Sequence, residues 1–486
     1  MAVDTPRKDY NDILPKWQRL RDCFKGRDAV IKAGIKYLPL LPGASIEENT
    51  AYRARGNFYN ALGRTVDGMN GSIFQEAPEV EMPESSKEML DDITLTDMTF
   101  ESFITEVGKE VLLMGRHGVL IDMPVQPPAN LPQRAEVDMR PYCVSYNAED
   151  IVNWRTERRG GDSILTMVVL REDVEVPVEN DPFTLNCVCQ YRVVMLKGAN
   201  CVQQLWRPKT ETQTSEYEMF GPEVTLMRRG EALTFVPFIF FNALRPSPDL
   251  EAPPLLDLCD VNLGHWRNSC DYEHGLHLVA LPTPWMAGAK GGTDGPKAMG
   301  PGVVWELEVN GSAGMLEFTG EGLKAIFTAM DEKRKQMASL GGRLLEDAQR
   351  GETATAVQLR HSSETASLKT IAQSLEQGMD LVLQICLWWE GTDAQPGDTE
   401  VDVELNKEYL NIRATPQEVQ VALTALQAGE ISFETWYNIL QSGGWAREGV
   451  DSAAEQKDIA TRQVSVVEPP NPASGDVPPP PITGVP

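Results

Sequence analysis

Between residues 321 and 391 the chain carries two amphipathic segments separated by a short, mostly polar break. No other stretch limits the possible folds as strongly. In the first segment Leu323, Ile326, Phe327, Met330, Met337, Leu340 and Leu344 recur at three- and four-residue spacings, an apolar stripe of helical period. Asp331, Glu332, Lys333 and Lys335 occupy the opposite face. The break, residues 346–353, reads EDAQRGET. The pattern resumes at Ala356 and Leu359 and runs through Ala366, Ile371, Leu375, Met379, Val382 and Ile385 to Trp388 and Trp389. At 1.5 Å per residue the second helix spans roughly 50 Å. A rod of that length suits a subunit of a large ring or shaft better than a globular enzyme of this size.

A second helix is expected over residues 253–277, opening on Pro253 and Pro254 and carrying Leu255, Leu256, Leu258, Val261, Leu263 and Trp266. It and the segment at 321–345 have similar lengths, roughly 35 Å each. They flank a Pro- and Gly-rich insert, 278–320, in which Val303, Trp305, Leu307 and Val309 alternate. Asn310-Gly311 signals a tight hairpin there. Packed antiparallel, the two helices would carry a β-rich insert on a stalk.

The rest of the chain divides by period. Residues 1–117 read as mainly helical: Trp17, Leu20 and Phe24 share a face, and Ser45 with Glu48 forms a capping box before a helix running toward Phe74. Phe100, Phe103, Ile104, Val107 and Val111 mark a further amphipathic helix. From Gly118 the period changes to that of strands: 119–121, 164–170, 187–196, 201–206 and 234–241. Pro237 places the last of these at a sheet edge or a strand end. After a short strand (Val401, Val403, Leu405), Thr415, Pro416 and Glu418 open a helix that Gly429 ends, and 432–442 forms another. The Pro-rich tail after Val467 cannot bury apolar area and is expected to be disordered. The fold class expected is α+β.

Composition then excludes functions. With 71 acidic and 44 basic residues the net charge is −27. A tight nucleic-acid binder needs clustered Lys and Arg to displace phosphate counterions, so DNA is expected to pass this chain rather than stick to it. No apolar run approaches a membrane span, and the N-terminus lacks the apolar core of a secretion signal. Eight cysteines without any CxxC pair read as reduced, buried thiols, with Cys187 and Cys189 on one face of a strand.

No motif announces catalysis. The Gly-rich stretch 288–297 lacks the Gly-Lys-Ser/Thr ending of a phosphate cradle and reads as a loop tip. His274 and His277, beside Glu273, lack further ligands nearby for a metal and read as surface or inter-subunit histidines. No GxSxG elbow or HExxH occurs. Trp388-Trp389 reads as a pair of packing anchors. Lys333, Arg334 and Lys335, with Lys324 and Arg343, form a basic stretch. It is either a solvated face paired with Asp331 and Glu332 or a face toward DNA phosphates. Gln349 and Arg350 in the break could touch a passing duplex without reading its sequence.

Several runs together carry a resemblance. They are 52–60 (YRARGNFYN), 64–69 (RTVDGM), 115–122 (GRHGVLID), 337–345 (MASLGGRLL), 352–354 (ETA) and 359–369 (LRHSSETASLK). In order and spacing, over roughly 40–445, the chain resembles the portal proteins (head-to-tail connectors) of tailed bacteriophages. The resemblance implies a ring, usually of twelve subunits, at one capsid vertex. DNA would be packaged and ejected through it, and a large terminase ATPase and later tail adaptor proteins would dock on it. Major capsid or scaffolding protein would be a further partner.

It further implies a wing over 1–250, stem helices at 253–277 and 321–345 and a clip at 278–320. A tunnel loop would follow at 346–353, then a long wing helix at 354–391, a short crown over 400–460 and a tail at 465–486. DNA-facing candidates are Lys324, Lys333, Arg334, Lys335, Arg343, Gln349 and Arg350. Docking candidates on the clip are Trp285, Lys290, Asp294 and Lys297. The chain would be a virion component assembled in the host cytoplasm, with no enzymatic activity, cofactor or membrane contact of its own. The competing readings are another virion protein, such as a head–tail adaptor, and a soluble acidic hydrolase.

Overall fold

Five helices build the N-terminal part: α1 (Lys8–Lys25), α2 (Arg27–Ala33), α3 (Ile46–Arg55), α4 (Ala61–Ile73) and α5 (Phe100–Met114). The computed structural model describes residues 3–124, 140–178, 181–210, 213–279, 283–289, 307–316, 321–341, 354–391, 393–407, 416–442, 445–447 and 450–464. The chain divides into two units, Met1–Lys407 and Glu408–Pro486, and its fold is α+β.

The capping box at Ser45 and Glu48 is present. The single helix expected to run from it toward Phe74 is instead two helices, α3 and α4, because the chain turns at residues 56–60. A Cβ on Gly56 would lie 2.3 Å from the Cys270 Sγ, so only glycine lets the backbone approach that closely. The new N-terminus then needs its orphan N–H groups satisfied. The Asn60 side chain accepts from the Gly63 N–H at 2.9 Å. Asn262, over two hundred positions away in sequence, accepts from Ala61 and Leu62 at 3.0 and 3.1 Å.

α5 is the apolar centre of this layer. Thr99 caps it, Gly115 ends it in the left-handed region, and every residue of its stripe is buried. The Trp17 indole of α1, fully buried, donates to the Met114 carbonyl at 2.9 Å. Arg21 bridges Glu110 and Glu149 with four hydrogen bonds of 2.7–2.9 Å.

α5 is followed by β2 (Arg116–Asp122), all seven residues of which are buried. An earlier short strand, β1 (Glu79–Glu81), lies between α4 and α5. β2 is the centre of a three-stranded antiparallel sheet with β3 (Tyr142–Asn147) on one side and β12 (Phe238–Asn242) on the other. Pro237 immediately precedes β12, which is an edge strand, so both features expected of it are present. A second sheet is a meander of β4 (Ile151–Arg159), β5 (Asp162–Val178), β6 (Asp181–Lys197), β7 (Asn200–Thr210) and β8 (Gln213–Met219). β9 (Val224–Thr225) adds to β7, and β10 (Met227–Arg228) pairs with β11 (Glu231–Ala232). Cys187 and Cys189 sit on β6, but Cys187 is exposed and Cys189 half-buried, so the expectation of two buried thiols is corrected. The face they share is buried further along β6, where Cys189 packs against a cluster that includes Tyr191 and Val193.

The remaining elements of the first unit are α6 (Leu256–Val279), β13 (Thr283–Ala289), β14 (Leu307–Leu316), α7 (Glu321–Leu340), α8 (Ala354–Glu390) and β15 (Asp402–Glu404). α8 crosses the three-stranded sheet at β12. Gly378 lets it approach Phe241, whose ring would lie 2.3 Å from any Cβ there, and the Ser374 hydroxyl donates to the Asn242 carbonyl at 2.7 Å. Trp388 and Trp389 are buried at its end and donate to the carbonyls of Ala394 and Met227. β15 pairs with β1, so the strand read at Val401–Leu405 belongs to the first unit.

The second unit holds α9 (Pro416–Ala428), α10 (Phe433–Ser442) and α11 (Ser452–Val464). Gly429, at φ 74°, ends α9. Ser432 accepts from the Thr435 N–H at 3.1 Å at the start of α10. The tail at 465–486 lies outside the described residues.

Candidate functional site

Two helices of matched length with a hairpin between them are the part of this molecule that its own core does not explain. α6 and α7 pack antiparallel: Gly264 lies against the Lys333 side chain and Gly275 against Leu323. Tyr272 meets Phe327 with ring centroids 6.1 Å apart. Moving forward along α6 therefore moves backward along α7.

Burial divides this pair in two. From its start through Cys270, α6 buries Leu258, Cys259, Asn262, Leu263, Trp266, Ser269 and Cys270 against the N-terminal helices. Beyond Asp271 no described residue of α6 is buried. On α7 only Met337 and Ala338, near its C-terminal end, are buried. The base of the pair is thus set in the core, and its far half stands clear as a stalk.

Tyr52 and Asp271 hydrogen-bond at the point where α6 leaves the body. Asn57 grips the same turn: its backbone N–H donates to the Ser269 hydroxyl at 2.9 Å and its side-chain amide donates to Glu273 at 3.0 Å. His274 stacks edge-on against Tyr52 at 5.2 Å and touches Arg55 at 3.3 Å. His277 is exposed. Among the described residues no group of three His, Cys, Asp or Glu side chains is placed to hold a metal ion.

At the far end β13 and β14 pair antiparallel. Asn310 and Gly311 were expected to form the hairpin turn. They lie inside β14, where the register shifts between Ala287 and Ala289. A Cβ on Gly311 would lie 2.9 Å from the Gly288 carbonyl oxygen. The glycine serves the close approach of two strands at a bulge, not a turn. Trp285 lies across from Gly314 and its indole covers that residue. Lys290, Asp294 and Lys297 lie outside the described residues.

The stalk exposes large apolar groups: Leu278, Trp285, Val309, Met315 and Phe327 are 46% to 103% exposed. Of these only Trp285 was singled out from sequence as a docking residue. Phe327 belongs to the α7 stripe, but the stripe alone does not tell which of its members stay exposed.

The basic residues on α7 have different surroundings. Arg334 and Lys335 both pair with Asp331, at 2.7 and 3.1 Å, on an exposed face. The hydrogen bond from Lys335 holds the Asp331 carboxyl below its usual range. Lys333 is half-buried, its stem lying over Gly264. Burial, with the charges of Lys333 and Arg334, pushes the His265 imidazole below its ordinary value. Lys324 is exposed. Arg343, Gln349 and Arg350, with the whole break at 346–353, lie outside the described residues. The structure therefore groups Lys333, Arg334 and Lys335 on one segment of the stalk, with Lys324 more than two turns away.

A family model described as a domain of unknown function, DUF4055, matches residues 254–390, which begin just before α6 and end with α8. No curated protein matches the chain. Among solved structures, a chain from the neck of a native GTA particle, computed with C12 symmetry, is similar at 13% identity and a TM-score of 0.37. The match covers 82% of this chain and 95% of that one. No helix among the described residues is long and apolar enough to cross a membrane.

Proposed function

We propose that this chain is a subunit of a homo-oligomeric ring at a virion vertex, a portal-type head-to-tail connector. The observation that carries the reading is the stalk: two antiparallel helices rooted in the core that lift a β-hairpin and five large exposed apolar side chains away from it. A single chain gains nothing from exposing them, whereas neighbouring copies around a closed ring would cover them. A particle neck is also the assembly with the distant likeness noted above, but the reading rests on the stalk and not on that likeness.

In this reading residues 1–250 form the wing, 253–277 and 321–345 the stem, 278–320 the clip and 354–391 the long wing helix. Residues 400–460 form the crown, of which the strand at 402–404 is tied to the wing. Double-stranded DNA passes along an acidic bore without being gripped, consistent with the net charge of −27. Lys324, Lys333, Arg334, Lys335 and Arg343, with Gln349 and Arg350 in a tunnel loop at 346–353, make transient phosphate contacts. Trp285, Lys290, Asp294 and Lys297 belong to the surface where a terminase ATPase and then a tail adaptor dock. The role is mechanical and needs no catalytic group.

The test is the native mass of the purified protein together with negative-stain images, with capsid or scaffolding protein supplied in parallel. A homogeneous ring with an axial hole is expected. A monomer at all concentrations, with and without those components, overturns the reading. Deleting 346–353 is expected to leave rings intact while packaged DNA is lost. Charge reversal within 284–300 is expected to weaken motor or adaptor docking with the subunit fold unchanged.

A further inference from the structure

β5 and β6, 17 residues each, reach past the sheet that carries them. They stay paired from Met167 and Met195 out to Val178 and Asp181. β4 pairs with β5 only as far as Leu170, and β7 with β6 only from Tyr191 onward. Residues 171–178 and 181–190 are therefore a two-stranded ribbon, roughly 25 Å long at about 3.3 Å per residue. Such a ribbon is marginal by itself in water. This one carries apolar groups near its tip: Phe183 is 94% exposed and Leu185 51%.

At the other end of the same strands, the same face holds a cleft. Side chains alternate along a strand, so the odd-numbered residues of β6 from Phe183 to Met195 share one face. The register with β5 is unbroken between Leu185 and Met195. A cavity of about 420 Å³ there is lined by Met167, Val169, Val193, Met195 and Trp206. Met167, Met195 and Trp206 are only half-buried, and Val3 packs beside them. A cavity of this size takes groups larger than a benzyl ring, and methionines adapt to what enters. The tip cannot fill the cleft of its own chain. About ten residues of extended strand separate Phe183 from Val193, roughly 33 Å.

We propose that the tip of this ribbon, led by Phe183 and Leu185, seats in the cleft of a second copy of the chain, against the Met167, Met195 and Trp206 side chains of that copy. The contact rests on the ring reading above and gives it a specific joint between neighbours. Tip and cleft are different patches of one surface, so each copy offers its tip to one neighbour and its cleft to another. That is a head-to-tail contact, which closes into a ring when the rotation between copies allows. Charge favours the same pairing. Residues 172–190 hold five acidic residues and no Lys or Arg. Among the described residues that line the cleft, the one charged group is Lys197, which pairs with Glu223 and still leaves half its side chain exposed.

The test places a benzophenone amino acid at position 183 of the full-length chain. Isotope-labelled and unlabelled copies are mixed under assembling conditions and irradiated, and the joined peptides are mapped by mass spectrometry. Links from position 183 of one copy to Met167 or Met195 of the other isotope are expected. Phe183→Ser, at a site too exposed to carry the subunit's fold, is expected to raise the concentration for half-assembly by about tenfold with the melting midpoint unchanged. An unchanged half-assembly concentration overturns the contact. Rings whose tips join to a neighbour's stalk, to their own chain or to added capsid protein also overturn it, and leave the ring standing. Copies that exchange tips and stop at two keep the contact and overturn the ring. A monomer at every concentration, with and without capsid or scaffolding protein, overturns both.

Discussion

α5 and α7 are both amphipathic helices with an apolar stripe of the same period, and they end in opposite circumstances. α5 buries nine of its fifteen residues, is capped at both ends, and receives the Trp17 indole at its last carbonyl. α7 buries two of twenty and leaves Phe327 and Leu340 58% and 43% exposed. The charges follow the same division. Around α5, Arg21 is shared between Glu110 and Glu149, all three less than a fifth exposed. On α7, Arg334 and Lys335 share Asp331 at the surface, where such pairs contribute little. One helix completes a core within its own chain, and the other leaves most of its apolar stripe exposed.

The comparison breaks first if the base is not a true core. Trp17→Ala removes a fully buried indole and its hydrogen bond to Met114. It is expected to cost about 3–5 kcal/mol, read from chemical denaturation; a loss under 1 kcal/mol would mean that α1 is dispensable to the α5 layer.

The next effect depends on pH. His117, at the start of β2, is fully buried, and neither ring nitrogen has a hydrogen-bond partner among the described residues. Burial, aided by the Arg21 charge, holds its pKa down at about 3. The unfolded imidazole takes up its proton near pH 6.5, while the folded one resists until about pH 3. Its contribution is therefore complete above 6.5 and is lost as pH falls across that window, by about 1.4 kcal/mol per pH unit. His117→Leu is expected to remove that slope relative to the parent in denaturation midpoints measured between about pH 7 and 4.5. Parallel curves for the two proteins would show that the imidazole is hydrated.

A smaller effect of opposite sign is expected on α8. Asp380 accepts from the Val403 N–H at 2.9 Å and helps hold β15. Burial first, then Asp402 and Glu376, pushes its carboxyl up to about 6, against the bonding of Val403. The folded chain binds this proton more readily than the unfolded one. The group is therefore least unfavourable below the unfolded value near 4, and stability declines as pH rises through 6. Asp380→Asn keeps an oxygen for Val403 and is expected to stabilise by about 1 kcal/mol at pH 7, a figure reduced for its partial exposure. A destabilised variant with a lost β1–β15 ribbon would show that the charge is required.

The smallest effect on subunit stability sharpens the comparison most. Phe327→Ser on α7 is expected to change the unfolding free energy of the isolated subunit by less than about 0.5 kcal/mol, yet to shift native mass toward monomer. A subunit destabilised like the Trp17 variant would place Phe327 in its own core, contrary to its exposure.

Much of this was legible in the sequence for reasons that can be named. The long α8 announced itself by period, because a helix that buries one stripe must repeat it every three to four residues. Ser45 and Glu48 marked the start of α3, and Pro237 marked an edge. β8 was harder: in Gln213–Met219 apolar residues are few, so alternation alone does not separate it from a loop. At the candidate site Trp285 and the basic run of α7 could be singled out by type, but Phe327, Val309 and Met315 could not. Exposure depends on what does not pack against a residue, and sequence lists only what is there.

The sequence by itself determined the α+β class and the paired helices with an insert between them, because period and turn residues are local properties. Tertiary structure decided the rest. It broke one expected helix into α3 and α4, because Gly56 had to pass Cys270 and Trp266. It moved Asn310-Gly311 from a turn to a bulge, because two strands approach there within a Cβ's reach. Those outcomes depend on groups far apart in the chain, and only the folded packing brings them together.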